Sequence, residues 1–325
     1  MCERMTTDMA KHYDFLTSGY VSMDHMVKIK SPARIGFTSL VANKTNMDIY
    51  YGGCSVNIAY ALCRLGLTAM PIIRVGDDYE TNGFKAFLEQ GHVPTEAVTP
   101  VPGERTSVCY LLQDNMGQHI TLFYPGAMDG IHSKPLDDGY FEDADMGVLT
   151  VGARCDNEEF FAKCRQHNVP LVFGMKGDMD AFPPDFLHEL LHYCKIIFTN
   201  ECERESIEKI FGRDILTLFD EGNAEIIVTT LGRQGSRCYT KTPAGIEQVE
   251  TPICDCAAVE DATGSGDAFM AGFLYGYHQG LSTEKCARMG TVLSSFIIEK
   301  EGCCTNAPDA EQFGQRLACF EDSLK

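Results

Sequence analysis

Two short segments carry residue types whose spacing suits group transfer. Asp261-Ala262-Thr263-Gly264-Ser265-Gly266-Asp267 runs into a helix pattern in which Phe269, Met270, Phe273, Leu274 and Tyr277 recur at helical spacing, with Gly280 as a stop. Gly264-Ser265-Gly266 lies just before or inside the first turn. Small residues there let unpaired amides approach an anion closely, and the helix dipole adds positive potential. Such a site suits a transferring phosphoryl group, whose charge needs stabilisation in the transition state. Asp267, at the same helix start, is placed to orient an attacking hydroxyl and to take its proton late. The residues alone leave two readings equally open, because an ordinary capped helix also has Asp in its first turn and glycines at its bend. The chain contains no Gly-x4-Gly-Lys-Ser/Thr phosphate loop.

The second segment is Tyr51-Gly52-Gly53-Cys54-Ser55-Val56-Asn57-Ile58-Ala59-Tyr60, where glycines again lead into a helix, ended by Gly66. Paired glycines permit backbone-close packing of a flat or polyhydroxyl ligand. Asn57 offers both a donor and an acceptor. Taken by itself, the segment is better described as a loop–helix junction. A competing constellation is His188-Glu189-Leu190-Leu191-His192, which has the His-Glu-x-x-His pattern of zinc hydrolases. Downstream Glu205 or Glu208 would have to complete it. The segment lies on a helix between strands, where exposed His and Glu are ordinary. A zinc hydrolase is therefore kept as the remote alternative. Cys254-Asp255-Cys256 and Cys303-Cys304 lack the spacing of a paired Cys-x-x-Cys site.

The chain has 325 residues and a formal net charge of −19, which repels nucleic acid and anionic lipid. The same charge repels ATP, so a nucleotide site needs concentrated amides, bound cations or a few basic side chains. The 15 cysteines are an odd, scattered set, Met1–Lys11 has no apolar signal core, and no run approaches a membrane span. The expectation is a cytoplasmic protein with free thiols.

Apolar, β-rich runs at Asp14–Tyr20, Ala69–Val75, Gly147–Val151, Pro170–Phe173, Lys195–Thr199 and Ile226–Thr230 alternate with helix patterns at Val56–Leu65, Tyr79–Gln90, Asn157–Gln166, Pro184–Tyr193 and Ser206–Phe211. The rhythm predicts one doubly wound α/β domain over residues 1–325 with a mostly parallel sheet, ligands binding beyond the carboxyl ends of its strands. Two segments break the rhythm. Met26–Tyr50 is extended and polar, and Thr106–Tyr124 reads as a hairpin of Ser107–Leu112 and His119–Tyr124. Residues of about 24–51 and 104–126 are thus expected to form a small β-sheet lid over the substrate.

Taken together, Gly52-Gly53 with Asn57 and Asp-Ala-Thr-Gly-Ser-Gly-Asp-Ala-Phe from Asp261 resemble the two signatures of the ribokinase-like carbohydrate kinases. The resemblance covers nearly the whole chain. Asn200-Glu201-Cys202-Glu203 resembles that family's Asn-x-x-Glu motif, Thr229–Gly235 its nucleotide-binding turn, and Gly19–Asp24 the end of its first strand. Gly52–Tyr60 and Phe123-Tyr124-Pro125-Gly126-Ala127-Met128 are most similar to the bacterial adenosine-kinase branch. The resemblance implies transfer of the γ-phosphoryl of Mg-ATP to the 5′-hydroxyl of adenosine, giving AMP and ADP. Another nucleoside, or a sugar of ribose or fructose type, is the alternative acceptor. It implies Asp267 as the base and Gly264, Ser265 and Gly266 as the anion hole. Asp24, Gly52, Gly53 and Asn57 would hold the acceptor, and Asn200, Thr230, Gly232 and Gly235 would contact ATP. Glu203 would act through magnesium and water, and Asp261 and Thr263 match positions that hold a monovalent cation, K+, in relatives. A homodimer through the lid follows by the same analogy. The retained Asp267, Asn200 and Glu203 argue against a catalytically dead binding module. The departures are Ala262, Tyr20, and Phe173-Gly174-Met175-Lys176 where many relatives have an Asp-Pro pair. The last two bear on the choice of acceptor.

Overall fold

The computed structural model describes residues 12–116 and 118–325, so the expectation for Met1–Lys11 lies outside the described residues. In chain order the elements are β1 (Phe15–Ser18), β2 (Ser22–Lys28), β3 (Tyr50–Gly52), α1 (Cys54–Arg64), β4 (Ala69–Val75), α2 (Phe84–Gln90), β5 (Val98–Pro100), β6 (Val108–Gln113) and β7 (His119–Tyr124). There follow β8 (Gly147–Leu149), α3 (Arg154–Gln166), β9 (Leu171–Gly174), α4 (Pro184–Tyr193), β10 (Ile196–Asn200), α5 (Glu201–Phe211), α6 (Leu218–Glu221) and β11 (Ile226–Thr230). The chain ends with β12 (Ser236–Thr242), β13 (Gly245–Thr251), α7 (Ser265–His278), α8 (Thr283–Ile297) and α9 (Ala310–Ser323).

Among the described residues, nine strands form one sheet in the order β13-β12-β11-β10-β9-β8-β1-β4-β5. Pairing is parallel from β11 through to β5, and antiparallel only where β12 and β13 add to the β11 edge. Strands β1, β8 and β9 are buried at every position. That is the mark of a sheet covered on both faces. One apolar core joins the sheet to α1, α7 and α8 through Val56, Ile58, Phe269, Phe273 and Leu293. The other joins it to α3, α4 and α5 through Phe160, Phe161, Leu187, Leu190 and Ile207. The doubly wound α/β expectation is met.

A second sheet of order β3-β2-β6-β7 is the small lid. Its β6–β7 pair lies where the hairpin was expected, but residues 29–49 hold little regular structure, the Ile29–Val41 bridge aside. Asp24 is also placed differently: the first strand stops at Ser18, and Asp24 belongs to lid strand β2. Gly19, at φ 150°, breaks the strand there, and a Cβ on it would come within 2.1 Å of Thr150 Oγ1. The expected helix from Tyr79 begins only at Phe84. Asn82 Oδ1 takes the Phe84 amide at 2.9 Å, and Gly83 turns left-handed at φ 91°. Conversely, α5 begins at Glu201, five residues before the apolar periodicity shows it, because its first turn is acidic and exposed.

Candidate active site

The carboxyl ends of β10 and β11, the starts of α1 and α7, and lid strand β2 converge on Asp267. Helix α7 opens on Gly264 in the left-handed region at φ 77°, with no side-chain cap. A Cβ on Gly264 would meet Cys303 Cβ at 2.7 Å, so both the turn and the close packing require glycine. The Ser265 amide donates to the Ala262 carbonyl at 3.2 Å. The Gly266 and Asp267 amides are among the orphan donors of the helix start, aligned with its dipole. Of the expected Gly264-Ser265-Gly266, Gly264 makes the bend, the Ser265 amide closes the turn, and the Gly266 amide, with that of Asp267, lies at the open end of the helix.

Asp267 is 2% exposed. Its Oδ2 accepts from Asn57 Nδ2 at 2.8 Å, while Oδ1 is buried without an aligned hydrogen bond. An acceptor-only oxygen left open in a buried place is costly unless a ligand completes it. Lys176 Nζ stands 3.1 Å from that oxygen. Asn57 accordingly has a first role the sequence did not give it, that of holding Asp267. Its Oδ1 accepts a long contact from the Cys304 thiol at 3.4 Å, leaving one N–H and one lone pair for a ligand.

The glycines before α1 act through closeness of packing. Gly53, at φ 97°, lies so near the Tyr20–Val21 backbone that a Cβ would stand 2.2 Å from Tyr20 O. A Cβ on Gly52 would come within 2.8 Å of Asn57 Oδ1 and 3.6 Å of Asp24 Oδ2. Asp24, Gly52, Gly53 and Asn57 are therefore brought together as expected. Burial pushes the Asp24 carboxyl up to about 6, with a Ser22 hydrogen bond opposing and the Asp261 and Asp267 charges adding to the rise. Beside them Tyr20 packs on Phe123 of the lid, ring centroids 4.8 Å apart. Burial, and then the Asp178 charge, push the Tyr20 hydroxyl up to about 12.

On the other side of the α7 start lies a cavity of about 470 Å³, lined by Thr230, Gly232, Gly235, Ser265, Gly266 and, from α8, Thr291 and Ser295. The expected nucleotide turn and the anion hole thus share one cavity. The α8 contribution was missed, since buried Thr291 and Ser295 give no motif. Asn200 is brought near but is engaged in a capping box. Its Oδ1 takes the Glu203 amide at 2.9 Å, and Glu203 Oε2 takes the Asn200 amide at 2.8 Å. Burial raises the Glu203 carboxyl, against the opposing charge of Lys176. Asp261 is satisfied by its own loop and the segment after α8: Oδ1 accepts from Thr263 N at 2.9 Å and Oγ1 at 2.6 Å, and Oδ2 from Gly302 N at 3.3 Å. Cys54, Cys303 and Cys304 surround the site as free thiols, and burial raises all three.

The zinc reading fails on geometry. The His188 and His192 rings stack at 4.1 Å, His192 Nδ1 donates to the His188 carbonyl, and Glu189 faces Arg165. Of the suggested completing carboxylates, Glu208 is paired with Arg204. Among the described residues, the His, Cys and carboxylate atoms that lie within reach of one ion are those of His12, Asp14 and Asp145, far along the chain from this helix. No helix of the described residues is long and apolar enough to cross a membrane.

The comparisons with known proteins agree with this geometry. A nucleoside kinase of Methanocaldococcus jannaschii is 28% identical over 271 residues, 82% of this chain and 85% of that protein. The crystal structure of that enzyme, described as an archaeal member of the ribokinase family, superposes with a TM-score of 0.83 at 24% identity, covering 95% of this chain and 99% of the other. A Burkholderia thailandensis nucleoside kinase in complex with inosine superposes with a TM-score of 0.84 at 22% identity, over 94% of this chain and 97% of the other. The model of the pfkB family of carbohydrate kinases matches residues 19–310. With that match over most of its length and the paired signatures folded onto one buried aspartate, the chain belongs to the pfkB carbohydrate kinases, phosphotransferases with an alcohol group as acceptor.

Proposed function

We propose that the protein transfers the γ-phosphoryl of Mg-ATP to the 5′-hydroxyl of a nucleoside, with adenosine as the first substrate to try. The observation that carries this reading is buried Asp267, whose Oδ1 has Lys176 Nζ at 3.1 Å and room for a further donor, between the orphan amides of the α7 start and the Asp24–Asn57 acceptor group. A hydroxyl donating to Oδ1 lies beside the amides that would hold the transferring group. The acceptor oxygen attacks phosphorus, its proton ends on Asp267, and the bridging-oxygen bond breaks toward ADP. Three supports favour a nucleoside over a small sugar. The Tyr20–Phe123 pair lines the acceptor side with aromatic surface, which suits a planar base. The cited M. jannaschii relative is a nucleoside kinase, and the B. thailandensis structure holds inosine.

ATP is assigned to the cavity of Thr230, Gly232 and Gly235. Magnesium fits beside it, because the capping box uses Oε2 of Glu203 and leaves Oε1 over. When bound, the ion would neutralise phosphate charge there. The outer face of the lid exposes Tyr110, Ile120, Leu122 and Tyr124, and the β6–β7 register sets Tyr110 opposite Leu122. A second copy covering that face is part of the same reading, and sedimentation at micromolar concentration reports it.

The deciding experiment is ATP consumption across adenosine, inosine, other nucleosides, ribose and fructose, with Asp267→Asn beside the wild type. A nucleoside preferred at least tenfold, and loss of most turnover in Asp267→Asn, are expected. A sugar preferred over every nucleoside removes the acceptor assignment. Near wild-type turnover by Asp267→Asn removes Asp267 from the mechanism.

A further inference from the structure

We propose that Lys176 is a catalytic residue whose ammonium contacts the phosphoryl group in transit. This rests on the phosphotransfer reading above but not on the identity of the acceptor. Lys176 stands in the Gly174–Asp178 loop after β9, where the sequence departs from its relatives and where only acceptor choice was expected to be affected. The structure directs the side chain elsewhere. Its Nζ lies 3.1 Å from Asp267 Oδ1 and 3.9 Å from the point a Cβ would occupy on Gly266. It therefore borders the orphan-amide position and the open carboxylate oxygen together.

The loop holds the lysine in place from both sides. Gly174 lies against Met270 of α7, so that a Cβ would stand 2.2 Å from Met270 Cε. Met175 is 3% exposed and donates its amide to Phe198 O, and the Asp178 amide donates to the Lys176 carbonyl. The Lys176 side chain is 37% exposed where that of Asp267 is 4% exposed. The lysine side chain thus reaches from nearer solvent toward the buried carboxylate. The ammonium has three donors and meets Oδ1 through one contact, which leaves its other hydrogens for another partner. The Asp267 charge, then Cys54, hold the amine above the ordinary lysine range, which keeps it cationic.

Charge balance gives this cation its purpose. Asp24, Asp261, Asp267 and Glu203 act on one another across the site, in a chain of net charge −19. A polyphosphate entering among them needs a fixed positive group at the point where charge develops. As the acceptor oxygen bonds to phosphorus and the bridging oxygen leaves with its electron pair on ADP, charge gathers on the oxygens beside Gly266. The ammonium at that point stabilises it, neither gaining nor losing a proton, while the acceptor proton goes to Asp267 Oδ1.

The test compares wild type with Lys176→Met and Lys176→Arg in steady-state kinetics. Alongside these, calorimetric binding of ADP and of a non-hydrolysable ATP analogue reads the γ-phosphate separately. For Lys176→Met the expectation is kcat down about 100-fold or more, acceptor KM within about threefold, the ATP analogue weakened at least tenfold, and ADP within about twofold. Lys176→Arg should recover a tenth or more of wild-type kcat. A kcat within tenfold of wild type in Lys176→Met, or equal weakening of ADP and the analogue, overturns the proposal. If the wild type phosphorylates no hydroxyl acceptor, the function reading fails, and the ADP-against-analogue comparison alone decides Lys176. Lys176→Gln replaces the Met variant if the latter does not fold.

Discussion

Replacing Asp24 by Asn removes a carboxylate that the fold keeps at a cost. The residue is 6% exposed, and its carboxyl is pushed from 3.8 to about 6, first by burial. A rise of about 2 pH units corresponds to about 3 kcal/mol of differential stability. The sign follows from the native state binding the proton more tightly than the unfolded chain. The stability this contributes is complete below about pH 4 and is lost as pH rises through about 6. The amide of the variant does not titrate and carries no such dependence. The stability of Asp24→Asn relative to wild type should therefore climb between about pH 4 and 6 and level off above. For 325 residues, about 3 kcal/mol is a midpoint some 4 °C higher at neutral pH. Thermal unfolding of both proteins from pH 4.5 to 7.5 reads this directly. The same carboxylate should work as a hydroxyl acceptor only when ionised. Acceptor kcat/KM should then rise through about pH 6 in the wild type, while in Asp24→Asn it should be low and flat in that range. A variant less stable than wild type at pH 7.5, or a stability gap that does not change with pH, refutes the reasoning.

Other substitutions test neighbouring links. Asn57→Ala removes the 2.8 Å bond to Asp267 and leaves a second buried oxygen unpaired, at about 1–3 kcal/mol. It should lower both the midpoint and kcat, with ATP KM little changed. Gly53→Ala places a Cβ 2.2 Å from Tyr20 O at a φ of 97°. Backbone strain alone costs about 1–3 kcal/mol, so circular dichroism should show a clear loss of stability, which a merely flexible junction would not. Glu301→Gln weakens the latch of the lid, where Glu301 pairs with Lys28 and takes the Tyr50 hydroxyl at 3.1 Å. A partly exposed pair of this kind is worth at most about 1 kcal/mol. Acceptor KM should rise no more than about fivefold, with the midpoint nearly unmoved.

The sheet was legible because its strands, buried on both faces, are continuous apolar runs, and Ala69–Val75 and Ile226–Thr230 emerge with the expected bounds. The β12–β13 ribbon was not, since β13 is exposed along most of its length and alternates too weakly to show a period. The paired signatures named Asp267, Asn57 and the glycines, which the fold brings together, because each signature depends on local backbone geometry. Their partners were hidden. That Asn57 holds Asp267, 210 positions away, is a tertiary fact with no trace in either motif. Asn200 and Glu203 show the opposite case, where an Asn-x-x-Glu spacing has a complete local use as a helix cap. Lys176 stood out only as a departure, and its direction toward α7 comes from the packing of Gly174 on Met270.

On the proposed reading, the charges of the site would discriminate among acceptors. At the phosphoryl end lie Lys176 and the α7 amides. At the acceptor end lie buried Asp24 and the Tyr20 hydroxyl, which is acted on by Asp178, Asp156 and Asp129. Of these, Asp156 is neutralised by Arg74, with Nη1 2.7 Å from its carboxylate. An acceptor carrying its own phosphate would bring a second anion against these carboxylates, and like charges so placed cost several kcal/mol. A neutral polyhydroxyl acceptor meets no such opposition. The expected preference for a nucleoside over a sugar monophosphate is at least about 100-fold in kcat/KM, the equivalent of roughly 3 kcal/mol. Measuring both acceptors at low and high salt separates charge from shape, because added salt should narrow the gap. A sugar monophosphate turned over within tenfold of the best nucleoside would mean that the acidic wall does not face the acceptor.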